Sequence, residues 1–216
     1  MKNCIIFFWF LLISSVSCAI ELKNNPDEVD VYVVPMDDFP EDIAASVANF
    51  MAEDMKLWVK ASVKLGDLHA NKLVGTNQLM MEDVIEKSQK IIRRFGDAKK
   101  DTYFLILTTK DINSKQGSLR FLFSGHNKEL NTSVVSLHRL MNYSNNNPVF
   151  DDLSKIRLYK IMKRAIGEMY YGWKRTTNIL DIMYAPIMSL NDLDQIGLEH
   201  YEEKPEEGHM YPQKTI

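Results

Sequence analysis

Thr102-Tyr103-Phe104-Leu105-Ile106-Leu107-Thr108 is the stretch that decides the fold, because between its threonines no charged or strongly polar side chain interrupts the run. A strand with one wet face alternates apolar and polar residues, so an unbroken run of this length predicts a central strand covered by helices on both faces. Upstream, Val29-Asp30-Val31-Tyr32-Val33-Val34 is β-rich and stops at Pro35, giving a first strand. Asp37-Asp38-Phe39-Pro40-Glu41-Asp42 puts acids and a proline where a helix opens, and Ile43, Val47, Phe50, Met51, Met55 and Trp58 continue at helical spacing. Lys60 to Leu65 alternates as a further strand, and residues 67–78 read as loop. Met81 to Phe95 reads as a helix with Val84, Ile85, Ile91 and Ile92 on one side, closed by Gly96. Downstream, Leu119 to Ser124 and Ser133 to Leu137 are two strands joined by a polar turn, Gly125 to Asn131. Strand, helix, strand, helix and then three strands predict an α/β (α+β) domain, a mixed sheet with helices packed on it.

The C-terminal half continues with a loop, Asn142 to Pro148, and a long helix from Asp151 to about Trp173. Leu153, Ile156, Ile161, Ala165, Met169 and Gly172 are the positions available for packing. Ile182-Met183-Tyr184-Ala185-Pro186 cannot be helical throughout and reads as a tight, buried turn. Ser189-Leu190-Asn191-Asp192 supplies an N-cap and an acidic first turn for a last helix through Leu193, Ile196 and Leu198. Residues 203–216 are charged, contain Pro205, Gly208 and Pro212, and are expected to form a flexible tail.

At the other end, Met1-Lys2-Asn3 precedes the apolar run Cys4 to Ile13 and the small residues Ser14 to Ala19. The pattern is that of a cleavable signal peptide, residues 1–19, and the run is short of the roughly 20 apolar residues of a spanning helix. The expected location is therefore secreted, extracellular or periplasmic, with no membrane span. Cleavage would remove both cysteines, so stability must come from an ordinary core over residues 20–202. It would also leave 25 basic residues against 29 acidic ones. That balance offers no global attraction to nucleic acid or to an anionic membrane.

Familiar chemistry is sparse. His69, His126, His138, His200 and His209 are scattered, none at ligand spacing from another His, Cys or Asp. Ser136 and His138 share a strand face, which is not how a nucleophile meets its base. No G-x-S-x-G, phosphate-binding loop or dinucleotide fingerprint is present. Met169, Tyr170, Tyr171 and Trp173 form an aromatic end to the long helix, suited to core packing or to a groove floor. Asn131-Thr132-Ser133 and Asn142-Tyr143-Ser144 are glycosylation sequons, which matter only in a eukaryotic source.

Three stretches together resemble a family. Asp101 to Arg120, with Lys110-Asp111-Ile112, is similar to the central strand and following Asp of the archaemetzincins, a branch of the metzincin zinc peptidases. Leu119 to Gly125 followed by Ser133 to Leu140 resembles the two strands before the active-site helix there. Asp181 to Asp194 resembles the Met-turn, with Met183 as its methionine, and the start of the C-terminal helix. The resemblance runs from about Val29 to Glu202 and implies a metzincin-like mixed, twisted sheet with a long active-site-type helix and a Met-turn.

That helix should carry H-E-x-x-H-x-x-G-x-x-H, in which three histidines hold zinc and the glutamate activates its water. Aligned through Ile166-Gly167, the first histidine falls on Arg164, the glutamate on Ala165, the second histidine on Glu168, the glycine on Tyr171 and the third histidine on Lys174. Shifting the register to use Gly172 brings Ala165, Ile166 and Met169 to the first three positions, which is no better. Arg164 and Lys174 are cations that repel a metal, and Ala165 offers no general base. No zinc or other cofactor and no catalytic residue are therefore expected. Arg164 and Lys174 are expected to flank Glu168, either as a replacement for the metal's charge or as an ordinary surface pair across one turn. The resemblance further implies recognition of a peptide or protein ligand by strand addition, at the strand bearing Leu119, Phe121 and Phe123. The expectation is a secreted pseudopeptidase acting as a binding module. The alternatives are an active hydrolase using a non-standard site, such as a metal held by Glu168 and Asp181, and a structural scaffold.

Overall fold

The computed structural model describes residues 28–201, apart from 118 and 146. The expected signal segment and the charged tail lie outside the described residues. The elements in chain order are β1 (Val29–Pro35), α1 (Glu41–Met55), β2 (Val59–Ala61), β3 (Leu79–Met80), α2 (Met81–Ile92), β4 (Ala98–Thr108), β5 (Ile112–Asn113), β6 (Ser124–Asn127) and β7 (Thr132–Ser136). They are followed by β8 (Asn142–Ser144), β9 (Asn147–Val149), α3 (Asp152–Ile166), a π-helical turn (Gly167–Tyr171) and α4 (Leu190–Gln195).

The main sheet has the order β2-β1-β4-β7-β6, with every pair parallel except the antiparallel edge, β6 on β7. As the apolar run predicts, β4 is covered on both faces. Tyr103, Leu105 and Leu107 join Val31, Val33 and Val135 under α1, α3 and α4, while Phe104 and Ile106 join Tyr32, Val34 and Val134 under α2. The result is a mixed α/β domain of three layers.

Several boundaries depart from the sequence reading. Lys56 turns left-handed (φ 54°) and ends α1 at Met55, so Trp58 is not on that helix, and Phe50 faces solvent while Ala44 and Ala48 face the sheet. The second strand is β2, Val59–Ala61; Val63 is exposed and Leu65 makes an isolated bridge to Met36. The expected loop at 142–148 is a hairpin, β8 on β9, with Asn145 at φ 51° in its turn, a conformation asparagine tolerates better than most residues. The strand expected at Leu119–Ser124 is shifted. Its regular ladder starts at Ser124 and takes in Gly125–Asn127, where a Cβ on Gly125 would lie 1.8 Å from Met81 Sδ. Leu119–Phe123 keeps the alternation of a strand, with Phe121 and Phe123 edge to face at 5.2 Å, but its backbone is tied by scattered bonds instead of a ladder: Leu122 N to Ile112 O, Ser136 N to Phe123 O, and the side-chain amides of Asn113 and Gln78 to Leu119 O and Arg120 O.

The long helix also packs differently from its hydropathy. Asp151 caps it, accepting from Ser154 N at 2.9 Å. Leu158, Ile161, Met162, Ala165 and Ile166 enter the core, but Leu153 and Ile156 are 39% and 46% exposed. Arg157, Lys160 and Lys163 are instead 5%, 4% and 3% exposed. Arg157 forks onto Asp194 (2.7 and 2.6 Å) and also reaches Asn142 Oδ1 and Leu140 O. Lys160 Nζ donates to three carbonyls, Leu193 O, Asp194 O and Ile196 O, at 2.9, 3.0 and 2.8 Å. Lys163 pairs with Asp54 at 2.9 Å. This polar side of α3 holds the C-terminal segment, where the Ser189–Asp192 capping box starts α4 and Leu193 and Ile196 are buried. Leu198, expected on that helix, lies beyond its end and is exposed.

Two substitutions test this packing. Lys160→Met keeps the stem but strands three buried carbonyls, and is expected to lower stability in a urea melt by about 3 kcal/mol. Met183→Ala opens a hole where the side chain is fully enclosed with Ala165 and Ile166, and is expected to cost about 2–5 kcal/mol. An unchanged midpoint in either variant would contradict the packing described.

Candidate functional site

The end of α3 is shaped by its glycines. At Gly167 the helix widens into the π turn, which spends one residue more than an α-helical turn. Gly172, at φ 71°, then reverses the chain. Trp173 N donates to Gly167 O at 2.9 Å, and a Cβ on Gly167 would lie 2.0 Å from a Trp173 ring carbon, so only glycine lets the ring lie there. The bend is therefore at Gly172 rather than Tyr171. Counted from that bend, the third motif position is Arg175 rather than Lys174. Arg175 Nη2 pairs with Glu168 Oε2 at 3.2 Å, while Lys174 is exposed and pairs with no described acid.

Arg164 does not pair with Glu168 across the turn as expected. Its Nη1 donates to Ile182 O and, at 2.7 Å, to Tyr184 O, so the guanidinium clamps both sides of the turn at Met183. Burial pulls its pKa down to about 10; Arg175 pulls the same way, and Glu168 and Asp181 oppose. It stays cationic at neutral pH. Ala165 is enclosed in the core. Asp181, weighed as a metal ligand, is committed elsewhere: it accepts from Met183 N (2.6 Å), Tyr201 N (2.8 Å) and His200 Nδ1 (3.1 Å). Tyr171 stacks on Trp173, which lies against His200, so the aromatic end packs the C-terminal segment.

From the sheet edge, β6 contributes a residue the sequence reading passed over. His126 Nδ1 faces Ser133 Oγ at 2.7 Å and Nε2 faces Ser124 Oγ at 3.4 Å. Burial lowers its pKa to about 4, with Glu168 opposing and Arg175 and Arg164 reinforcing the drop. The alternation Ser124-x-His126 on one strand face was its available signal. Beneath it, the Tyr103 hydroxyl is fully buried beside Ser133, its pKa pushed up by burial, with Ser133 opposing and the charge of Glu168 adding to the rise.

Ser124, His126, Arg164, Glu168 and Arg175 line a cleft of about 450 Å³, walled by Leu119, Phe121, Phe123 and the segment Ala185–Met188. Leu119, Phe121 and Phe123, expected on the edge strand itself, form an irregular wall of this cleft beside it. A larger basin, about 1180 Å³, lies across the Arg120 loop, where Arg139 forks onto Asp111. Among the described residues no group of three His, Cys, Asp or Glu side chains is placed to hold a metal. Zinc does not fit the donor set at the helix end, since the first and third positions are guanidiniums. Both sequon asparagines use the amide nitrogen a glycan would occupy: Asn131 donates to Asp101 O and Asn142 to Asp151 Oδ2.

His126 gives the site a pH signature. The unfolded chain protonates it below about pH 6.5 and the native chain only near 4, so between those values the unfolded state holds more protons and stability falls as pH falls. Urea midpoints are expected to hold steady above about pH 6.5 and decline towards 4, with a shallower decline in His126→Asn. Equal slopes would remove His126 from this role.

No protein-family model matches the chain, and no curated protein is similar to it. Solved structures are. Archaemetzincin from Methanopyrus kandleri superposes with a TM-score of 0.61 at 18% identity, over 83% of this chain and 93% of that one. Archaemetzincin from Archaeoglobus fulgidus, complexed with malonate, gives 0.58 at 20% identity, over 80% and 95%. A zinc-dependent peptidase from Methanocorpusculum labreanum gives 0.63 at 18% identity, over 80% and 96%. With a mostly parallel central sheet and four helices among the described residues, the chain has the archaemetzincin fold.

Proposed function

We propose that this chain is an exported pseudopeptidase, an archaemetzincin-like domain that has exchanged its metal for arginine and uses the remaining cleft to bind a peptide or protein ligand. The observation that carries the reading is Arg164. It stands at the first ligand position and spends Nη1 on the carbonyls of Ile182 and Tyr184, so the group that would hold a metal instead braces the turn beneath it. Arg175 on Glu168 repeats the substitution at the other end of the motif. A hydrolase of this type also needs a base, and Ala165 has none to give. Strand β6 is the edge of the sheet, the position at which strand addition occurs, and Leu119, Phe121 and Phe123 supply the wall beside it. Export rests on the reading of residues 1–19.

A second reading, hydrolysis by other residues, has one observation in its favour: Ser124 Oγ stands 3.4 Å from His126 Nε2. Against it, His126 Nδ1 faces a hydroxyl instead of a carboxylate, and burial makes the imidazole a weak base.

The test is metal content together with cleavage. The chain starting at Ile20, examined by native mass spectrometry after incubation with zinc, is expected to carry no stoichiometric metal and to leave a mixed peptide pool uncut. One tightly held zinc per chain with chelator-sensitive cleavage would overturn the proposal. Metal-free cleavage lost in Ser124→Ala would establish the second reading.

A further inference from the structure

We infer that the arginine end of this cleft is a carboxylate-binding site, which anchors an acidic peptide through Arg164 and Arg175; the inference rests on the reading of the domain as a peptide-binding pseudopeptidase. Arg164 has five N–H donors. Nη1 is fixed by two backbone carbonyls, which set the plane of the guanidinium, whereas Nε and Nη2 donate to no described group and the side chain is only partly buried. The residue lines the cleft, so its free edge is available there. A guanidinium edge held in place matches a carboxylate with two parallel hydrogen bonds, and little side-chain entropy remains to be lost on binding.

The charge of the cleft points the same way. Arg120, Arg164 and Arg175 line it against one acid, Glu168, in a chain whose net charge is −3. Burial keeps His126 neutral near pH 7. Asp181 is the other acid acting on Arg164, but it does not line the cleft, and even with it counted three cations face two acids. The excess is therefore positive and local. Phe121, Phe123 and Ile187 stand beside these cations, and apolar walls next to a fixed cation fit an amino-acid residue better than a bare inorganic anion. Glu168 already places a carboxylate on Arg175 and competes with an incoming one.

Calorimetric titration of the chain starting at Ile20 with N-acetylated tetrapeptides tests the inference. One peptide is all alanine with an amidated end, one has a free C-terminal carboxylate, and two amidated ones carry a single Glu or a single Gln. A carboxylate-bearing peptide is expected to bind at least about tenfold tighter than its neutral counterpart. Whether the free end or the Glu side chain gains identifies the source of the carboxylate. Glu168→Gln is expected to tighten the carboxylate peptides several-fold and leave the neutral ones unchanged, a gain that misfolding cannot produce. Arg164→Lys, which keeps the charge but loses the fork, and Arg175→Gln, which leaves the turn untouched, are each expected to weaken them. Equal binding of charged and neutral peptides, or an unaltered affinity in Glu168→Gln, overturns the carboxylate site while peptide binding stands. Failure of every peptide to bind overturns both.

Discussion

The structure depends on a row of cations along one side of α3 that hold backbone carbonyls of a segment with little regular structure. Lys160 takes Leu193 O, Asp194 O and Ile196 O, Arg164 takes Ile182 O and Tyr184 O, and Arg157 beside them forks onto the Asp194 carboxylate. Between the π turn and Tyr201 the chain has one short helix, so many of its carbonyls have no ladder to join. A buried carbonyl left without a donor costs about 1–3 kcal/mol. Lys160 and Arg164 remove that cost, and together with Arg157 on Asp194 they fix the turn and α4 against the core. Lys160 sits among the last carbonyls of α4, where the helix dipole also favours a positive charge.

Arg164 belongs both to this row and to the cleft, and that coupling constrains what the position can become. A histidine there has two ring nitrogens, and one that ligated a metal would leave at most a single N–H to donate. It could not serve Ile182 O and Tyr184 O together. Bracing the turn and binding a metal are competing uses of one position, and the guanidinium serves the first through Nη1 alone, leaving two nitrogens without a described partner.

The sheet was legible because its signals are local. The apolar run in β4, the proline ending β1 and the Ser189–Asp192 cap each depend on neighbours in sequence. The inner side of α3 was not, and for a physical reason: hydropathy assigns Lys160 to water and Leu153 to the core, and nothing near residue 160 announces carbonyls more than thirty positions away. The third motif position was displaced by one because the π turn holds an extra residue, which a count based on α-helical spacing cannot include. His126 was passed over for a similar reason. Its partner Ser133 is brought opposite by the β6–β7 pairing, whose ladder begins later than the apolar alternation of Leu119–Phe123 suggested.

The acid that remains at the second position follows from the same electrostatics. Arg164 and Arg175 each carry a charge near the other, and that proximity helps to pull the Arg164 pKa down. Two guanidiniums at the end of one helix, one of them buried, would repel at a distance where the protein screens poorly. Glu168 opposes this: it pairs directly with Arg175 and favours the charged form of Arg164. In a zinc peptidase the motif surrounds a cation with neutral imidazoles. The end of α3 here has the opposite charge pattern, one acid paired with Arg175 and near Arg164, and that single neutralisation leaves the cleft with an excess of positive charge.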